Sequence, residues 1–302
     1  MKRILIPLEV ILIFISFSYI GTNKSLYSLI DNTEYKIANN ELYYVKENTK
    51  ENYSGSLTII DRDHVNNKEE LYSMFYTVLN NGYDIYTFKC SHNYSTCLTD
   101  LDKIDQDVLT TYNSLVNPKN SFKTIKTSYT NDKKITLNIE KKYTDEELTK
   151  IDNELDRLIV SLKINSYPDI KDKIKVFHDY IADHNVYDSV RAQTGESNYH
   201  SNTAIGALFE GYAICDGYSD ALSFFLDKLD LENVKVTNKE HVWNIVKIND
   251  EWLHIDLTWD DPIYTNGTQL TIHDYFLITT DKLESKEDNE HSFDEKIYDF
   301  IK

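Results

Sequence analysis

The sequence predicts an α+β protein made of two successive domains, and three observations support this. The chain has 302 residues, enough for two domains of ordinary size. Residues 23–143 alternate short strand-like and helix-like segments, whereas residues 144–184 have the apolar period of consecutive helices. Residues 241–258 contain two alternating strands around a two-residue turn. We therefore expect a small α+β domain over 23–143 and a second domain over 144–302.

The composition excludes several classes of protein. Asp and Glu total 50 against 32 Lys and Arg, and the formal net charge of −18 repels nucleic-acid phosphates, so we expect no nucleic-acid partner. The 23 Tyr and 12 Phe are too many for a disordered acidic chain, and 3 Cys are too few for a disulfide scaffold. One long apolar run is not enough for a polytopic membrane protein. A soluble globular protein with an unusual N-terminus is expected.

The first 22 residues predict export. Lys2 and Arg3 precede an apolar run over 4–20, which is the layout of a signal peptide, and Ser16 and Ser18 permit cleavage after Ser18. An uncleaved anchor is the alternative, although this run would rise only about 26 Å against a ~30 Å hydrocarbon core. No Cys follows the run, which excludes a lipoprotein anchor. We expect a secreted or cell-surface protein that contacts the membrane only through an uncleaved N-terminal segment.

In the first domain, the sequence pattern predicts short strands and one clear helix. We find no motif there that indicates a chemical function. Strands are predicted at 41–45, 56–60 and 84–88, a helix at 67–79, and a strand pair at 122–125 and 135–139. His64 and His92 are isolated in the sequence, and isolated histidines are expected at the surface. The role of this domain stays open.

Two helices are predicted at the start of the second domain. Thr144 and Glu147 form a capping box ahead of an amphipathic segment. Asp169 can cap a second helix. His178 and His184 lie on or after that second helix, and we expect both to be structural.

The role expected for the three cysteines depends on whether the compartment is oxidising. Cys90 and Cys97 are close enough in sequence to pair in an oxidising compartment, which leaves Cys215 as the odd thiol. The alternative is that all three are small buried apolar residues.

Cys215 comes at or just before the start of a predicted helix, because residues 221–226 have a helical apolar period. Backbone N–H groups and the helix dipole favour a thiolate at that position. A buried Cys without a chemical role is the alternative when position alone is considered.

The hairpin at 241–258 has a definable register. Asn249 and Asp250 form the turn, and the register places an apolar row on one face, namely Val242, Val246, Ile248, Leu253, Ile255 and Leu257. His241 and Asp256 then lie on the opposite face as diagonal neighbours, with Cβ atoms roughly 7 Å apart or less.

A carboxylate that orients an imidazole can activate a nucleophile, because it leaves the other ring nitrogen free to exchange a proton. A helix packed on the same face as His241 would bring the Cys215 thiol to the ring. Without a nearby thiol, the pair is an ordinary structural hydrogen bond on a polar sheet face.

Three motifs follow one another in the second domain. They are Cys-Asp-Gly-Tyr-Ser-Asp-Ala at 215–221, His-Val-Trp-Asn at 241–244, and Trp-Leu-His-Ile-Asp-Leu-Thr-Trp-Asp-Asp-Pro at 252–262. Together they resemble the transglutaminase-like superfamily, and the resemblance covers roughly residues 144–280. It implies a papain-like α+β fold in which the helix that carries the Cys packs on an antiparallel sheet.

The resemblance also implies the roles of the motif residues. Cys215 would be the nucleophile, His241 the acid and base, and Asp256 the residue that orients the ring. The Cys215 backbone N–H is a candidate oxyanion donor. We therefore expect an exported cysteine enzyme that acts on amide bonds, as a peptidase or amidase or by protein-glutamine acyl transfer. Its partner would be a protein or peptide substrate such as a cell-wall peptide, and no cofactor is expected.

Two alternatives stay open. A non-catalytic surface module that keeps the same fold is suggested by the acidic, Tyr-rich first domain. A metal site is the other, because Cys215, His241, His254 and Asp256 are all possible ligands, although no close spacing such as Cys-x-x-Cys occurs.

Other segments near the motifs predict structural roles. The acidic residues over 281–294 predict a solvated charge run. His254 is expected to be a neutral cross-strand partner. Trp243, Trp252 and Trp259 are expected either in a substrate cleft or in the core around the hairpin.

Overall fold

The computed structural model describes residues 13–16, 57, 59–262, 270–286, 288 and 290–301. The chain divides into two compact units, Met1–Lys142 and Tyr143–Lys302. The predicted leader lies outside the described residues except for one short strand, and the strand predicted at 41–45 and most of that at 56–60 also lie outside them. No helix among the described residues combines the length and the apolarity that a membrane crossing requires.

The described part of the first unit contains one mixed sheet and three α-helices. The strands are β1 (Ile13–Ser16), β2 (His64–Val65), β3 (Ile85–Cys90), β4 (Phe122–Tyr129) and β5 (Lys134–Lys141). Their spatial order is β1-β4-β5-β3-β2, and all pairs are antiparallel except β2 with β3. The helices are α1 (Lys68–Asn80), α2 (Cys97–Leu101) and α3 (Gln106–Leu115), followed by a 3-10 turn at Pro118–Asn120.

The local signals in the first unit are confirmed. The side chain of Asn67 accepts a hydrogen bond from Glu70 N at 2.8 Å and begins α1 where the sequence predicts it. The apolar face of α1 packs on the sheet, with the Phe75 and Phe88 ring centroids 6.3 Å apart. Strands β4 and β5 form the predicted antiparallel pair.

Cys90 and Cys97 form a disulfide, with Cα atoms 6.2 Å apart, and Cys215 is the free thiol. Closing this short loop is expected to contribute about 2.5 kcal/mol to the free energy of unfolding, because the crosslink restricts the unfolded chain. A Cys90→Ala/Cys97→Ala variant in urea denaturation should show this loss. Denatured, unreduced protein should expose one titratable thiol and reduced protein three; three thiols before reduction would contradict the pairing.

The second unit contains a four-stranded antiparallel sheet and a short parallel pair. The sheet strands are β8 (Asn233–Thr237), β9 (Val242–Ile248), β10 (Glu251–Ile255) and β11 (Phe276–Ile278), and the pair consists of β6 (Val186–Tyr187) and β7 (Tyr212–Ala213). The spatial order in the sheet is β11-β10-β9-β8, so the predicted hairpin lies at its centre.

The helices in the described part of the second unit are α4 (Asp145–Ser161), α5 (Ile170–His184), α6 (Ser189–Thr194), α7 (Cys215–Lys228) and α8 (Thr280–Glu284). A π-helical turn occupies Gly206–Glu210, and 3-10 turns occupy Ile164–Ser166 and Asp299–Ile301. The Thr144–Glu147 capping box is present in both directions, at 3.2 and 2.8 Å. Asp169 caps α5 by accepting from Lys171 N at 2.8 Å.

The core of the second unit forms around α7. Its apolar side chains are buried together with those of α4, α5 and the apolar row of the hairpin. The rings of Phe177 on α5 and Phe225 on α7 stack with centroids 3.9 Å apart. Burial of large side chains of this kind contributes roughly 1.5–3 kcal/mol each. The mixed α/β architecture is compatible with the predicted α+β class.

Candidate active site

The hairpin places His241 and Asp256 at the same end of the sheet. Its pairing has the register expected from the sequence. Asn249 and Asp250 have φ angles of 51° and 65°, the left-handed pair that a two-residue type I′ turn requires. β9 begins one residue after His241 and β10 ends one residue before Asp256, so both side chains lie just beyond the regular pleat.

The Cys215 helix packs on the face of the hairpin opposite to the one we expected. α7 shares its core with the apolar row, and Asn244 on that face donates through Nδ2 to Ser219 O at 2.9 Å. The expectation was wrong because the apolar face is where a helix buries the most apolar area. Cys215 is still among the groups that raise the pKa of His241, which lies outside β9, where the pleat does not restrict its side chain to one face.

The second face of the hairpin is covered by residues 290–301, which we call the C-terminal segment. The Phe293 ring lies 6.2 Å from the Trp243 ring, and the Phe300 ring lies 5.3 Å from the Trp252 ring, between centroids. The described acidic residues of the predicted solvated run at 281–294 are exposed, apart from the partly buried Asp288, whereas His291 within the run is buried. The aromatic residues of the C-terminal segment supply its packing on the hairpin.

The imidazole of His241 bonds to Asp256 and interacts electrostatically with Cys215. Its Nε2 is 2.5 Å from Asp256 Oδ2, and the two residues are 7% and 2% exposed. Burial acts to lower the pKa of His241, but the charge and hydrogen bond of Asp256 and a hydrogen bond with the Cys215 side chain together raise it to about 10. Because Nε2 faces Asp256, Nδ1 is the ring nitrogen left for the sulfur.

The Asp256 carboxylate accepts four hydrogen bonds, which is about its full capacity. Oδ1 accepts from the backbone N–H groups of Thr258 and Trp259 at 2.9 and 3.3 Å. Oδ2 bonds to His241 and also to His291 Nε2, at 2.8 Å. Burial acts to raise the pKa of Asp256, but the two imidazoles hold it well below its usual range, so the group is an anion.

Sequence reasoning missed His291, which belongs to the C-terminal segment. Its Nδ1 lies 2.6 Å from Asp288 Oδ1, and Tyr275 Oη donates to Asp288 Oδ2 at 3.1 Å. The ring is 4% exposed. The sequence contained one indication of its burial. His291 interrupts the acidic run, and aromatic residues recur between it and the end of the C-terminal segment.

Cys215 is the first residue of α7, as predicted, and it is partly exposed. The loop before β7 lies directly on the first turn of this helix: Ile214 N donates to Ser201 O at 2.8 Å. A Cβ atom at Gly217 would lie only 2.3 Å from Ser201 O, so this contact requires glycine. The glycine of the motif therefore permits the close contact between the first turn of α7 and the Ser201 carbonyl.

Tyr187 on β6 is a second residue that the sequence did not indicate. Burial raises the pKa of Tyr187, and the charges of Cys215, Glu290 and Asp256 raise it further. Its hydroxyl therefore stays protonated and is a hydrogen-bond donor within electrostatic reach of the sulfur.

His254 is separate from the site. Its Nδ1 accepts from Trp243 Nε1 at 3.0 Å, and its Nε2 is 3.1 Å from Thr280 Oγ1. Burial, and then the nearby His291, lower the pKa of His254 to about 3, so the ring is neutral, as expected. Both nitrogens are bonded, and His254 does not join the metal-ligand set considered from the sequence.

A second histidine–carboxylate network surrounds the fully buried His178. Its nitrogens lie 3.0 Å from Asp179 Oδ1 and 3.1 Å from Asp260 Oδ2, and His273 Nε2 is 2.7 Å from the same Asp179 oxygen. Lys175 Nζ is 2.5 Å from Asp179 and 2.8 Å from His273, so an ammonium occupies the position that a cation would need. The network connects α5 to residues that follow β10.

Comparison with solved structures finds a distant similarity. No family model and no curated protein matches the chain. A solved structure described as "Crystal structure of a TGase" is 21% identical over 50% of this chain and 47% of that chain, with a TM-score of 0.35. The chain thus aligns with about half of that protein's length. At this TM-score the similarity carries no argument about the site.

Proposed function

We propose that the second unit is a cysteine acyl-transfer enzyme with a transglutaminase-like fold that acts on amide bonds. The observation that supports this most directly is the position of His241, whose ring bonds to the Asp256 carboxylate and whose raised pKa has the Cys215 side chain, after Asp256, among its causes. A buried carboxylate, a cationic imidazole and a thiol in this order form the apparatus of a nucleophilic cysteine.

The proposed reaction has two steps. The Cys215 thiolate attacks the amide carbonyl carbon and forms a C–S bond, and His241 protonates the amine as the C–N bond breaks, which leaves a thioester. Water or a primary amine then attacks the thioester, His241 takes up its proton, and the C–S bond breaks. Because the first N–H groups of a helix have no partner within it, the Cys215 N–H is a suitable donor to the oxyanion.

We further propose that the enzyme is secreted or displayed at the cell surface. The leader predicted over 1–22 supports export, and the Cys90–Cys97 disulfide is of a kind that persists in oxidising compartments. Protein and peptide amides are the substrates that an exported enzyme would meet, including cell-wall peptides. Hydrolysis and amine transfer use the same three residues.

Selective alkylation tests this function. Iodoacetamide at pH 6 is expected to modify Cys215 at least about tenfold faster than a model thiol, because few model thiols are ionised at that pH. Mass spectrometry of peptides after timed quenching measures the rate.

The control variant for this test is His184→Ala, which removes an exposed ring that bonds to the Tyr180 carbonyl and stacks on the Tyr180 ring. It should leave the rate unchanged, whereas His241→Ala should reduce it to that of the model thiol. If Cys215 reacts no faster than the model thiol, or if His241→Ala has no effect, the unit is a non-catalytic surface module instead.

A further inference from the structure

His291 is bonded at both ring nitrogens to carboxylates on opposite sides. Nε2 is 2.8 Å from Asp256 Oδ2 and Nδ1 is 2.6 Å from Asp288 Oδ1. His241 uses the same Asp256 oxygen, at 2.5 Å, and the two ring centroids are 5.3 Å apart. One carboxylate oxygen therefore serves two imidazoles.

Both nitrogens of the second ring face hydrogen-bond acceptors. Asp256 and Asp288 both have a lowered pKa despite burial, so both are ionised and only accept hydrogen bonds. Each nitrogen of His291 is therefore placed to donate a hydrogen bond to a carboxylate. Asp256 Oδ2 is shared between the two rings.

A single amide connects the backbones that carry these two rings. Asn238 Oδ1 accepts from the backbone N–H of His241 at 2.9 Å. Its Nδ2 donates to the carbonyls of Glu290 and Ser292, at 2.6 and 2.9 Å, on either side of His291. The spacing between the two histidines is therefore held by the backbone as well as by Asp256.

We propose that His291 carries a proton on both nitrogens and is a positioning residue of the candidate active site, which fixes the Asp256 carboxylate against His241 and withholds part of its negative charge from that ring. The inference rests on the proposed function and deepens it. The site then contains two imidazoles with different tasks: His241 exchanges protons with the sulfur, and His291 contacts neither sulfur nor substrate.

The other groups around His291 are consistent with this role. The Tyr275 ring stacks on it with centroids 4.7 Å apart, and burial and then the charge of Asp288 raise the pKa of that phenol, so it stays neutral. His254 is neutral, and its lowered pKa has the charge of His291 among its causes. Asp256 and Asp288 are the anions in contact with the ring, and His241 is the neighbouring cation.

Two substitutions separate charge from position. His291→Gln keeps a donor for Asp256 but removes the cation, so we expect His241 to titrate about one pH unit higher and Cys215 alkylation to stay within about twofold of wild type. His291→Phe keeps the ring contacts but loses both hydrogen bonds, and it should also reduce alkylation at pH 7 about tenfold. NMR of ring-labelled histidines measures the titration, and in wild type it should show both His291 nitrogens protonated at pH 7.

His178→Gln is the matched control, because His178 is equally buried and also bonds to two carboxylates, but it does not touch Asp256. It should cost stability without moving the His241 titration. If both His291 variants leave that titration unchanged, or if His291 carries one proton at pH 7, the inference is wrong. Failure of the proposed function gives a different result: Cys215 of the wild-type protein would then react no faster than a model thiol. The His241 titration is a separate measurement, because NMR detects the ring and not the reaction of the thiol.

Discussion

Replacing Asp256 by asparagine is expected to reduce turnover of any amide that the wild-type protein processes by about 10³- to 10⁴-fold, the loss found when such an orienting carboxylate becomes an amide. Burial acts against the His241 cation, and Asp256 is the main group that overcomes it. Without that charge the pKa of His241 should fall below 6.5, its ordinary value. The ring would then be neutral at pH 7 and unable to protonate a leaving amine.

The same substitution should change how the free energy of unfolding depends on pH. Since folding raises the pKa of His241, its contribution to stability is complete below pH 6.5 and is lost as the pH rises through about 10. The difference in free energy of unfolding between wild type and Asp256→Asn should therefore be largest near pH 6 and shrink toward pH 10. Urea denaturation at several pH values measures it.

Asp260→Asn is the control, because Asp260 is also buried and bonds to a histidine, but to His178 rather than His241. It should leave the pKa of His241 near 10. An Asp256→Asn protein with wild-type turnover and an unshifted His241 would show that the carboxylate does not tune the ring.

Replacing Lys235 by methionine is expected to lower the free energy of unfolding by about 3–5 kcal/mol, because it leaves a buried carboxylate without its ionic partner. Lys235 Nζ lies 2.5 Å from Asp220 Oδ1, with side chains 3% and 0% exposed. Tyr143 Oη donates to the other Asp220 oxygen at 2.6 Å and cannot neutralise the charge. Asp220 lies on α7, so this pair stabilises the helix that carries the thiol.

A second substitution should rescue this loss. In Lys235→Met/Asp220→Asn the charge is gone and the Tyr143 hydrogen bond still has an acceptor, so at least half of the lost stability should return. Lys247→Met removes a more exposed ion pair with Glu232 from the adjacent strand and should cost less than about 1 kcal/mol. Equal urea midpoints for the Lys235 and Lys247 variants would show that the buried Lys235–Asp220 pair has no special effect on stability.

The parts of the site that depend on local sequence were predictable. The turn at Asn249-Asp250 and the apolar alternation define the hairpin register, which brings the chain at His241 next to the chain at Asp256. The start of α7 at Cys215 follows from the apolar period after it. These signals are strong because each involves residues within one turn or one strand pair.

The remaining parts depend on contacts between distant segments. Alternation predicts which residues share a face of the hairpin but not which element covers it, so α7 was expected on the wrong face. His291 contacts Asp256 from 35 positions away in the sequence, and it lies within an acidic run whose charge conceals the apolar packing of the residues that follow it. Lys235 is buried in β8, which no propensity of lysine would suggest, because its partner on α7 is absent from the local pattern.

The C-terminal segment is translated after every strand that it covers. While the nascent polypeptide leaves the ribosome, the thiol and its first imidazole emerge well before residues 290–301, so one side of the sheet is still bare and Asp256 lacks the donor that His291 provides. The carboxylate meets its second imidazole only when these late residues fold back onto the sheet.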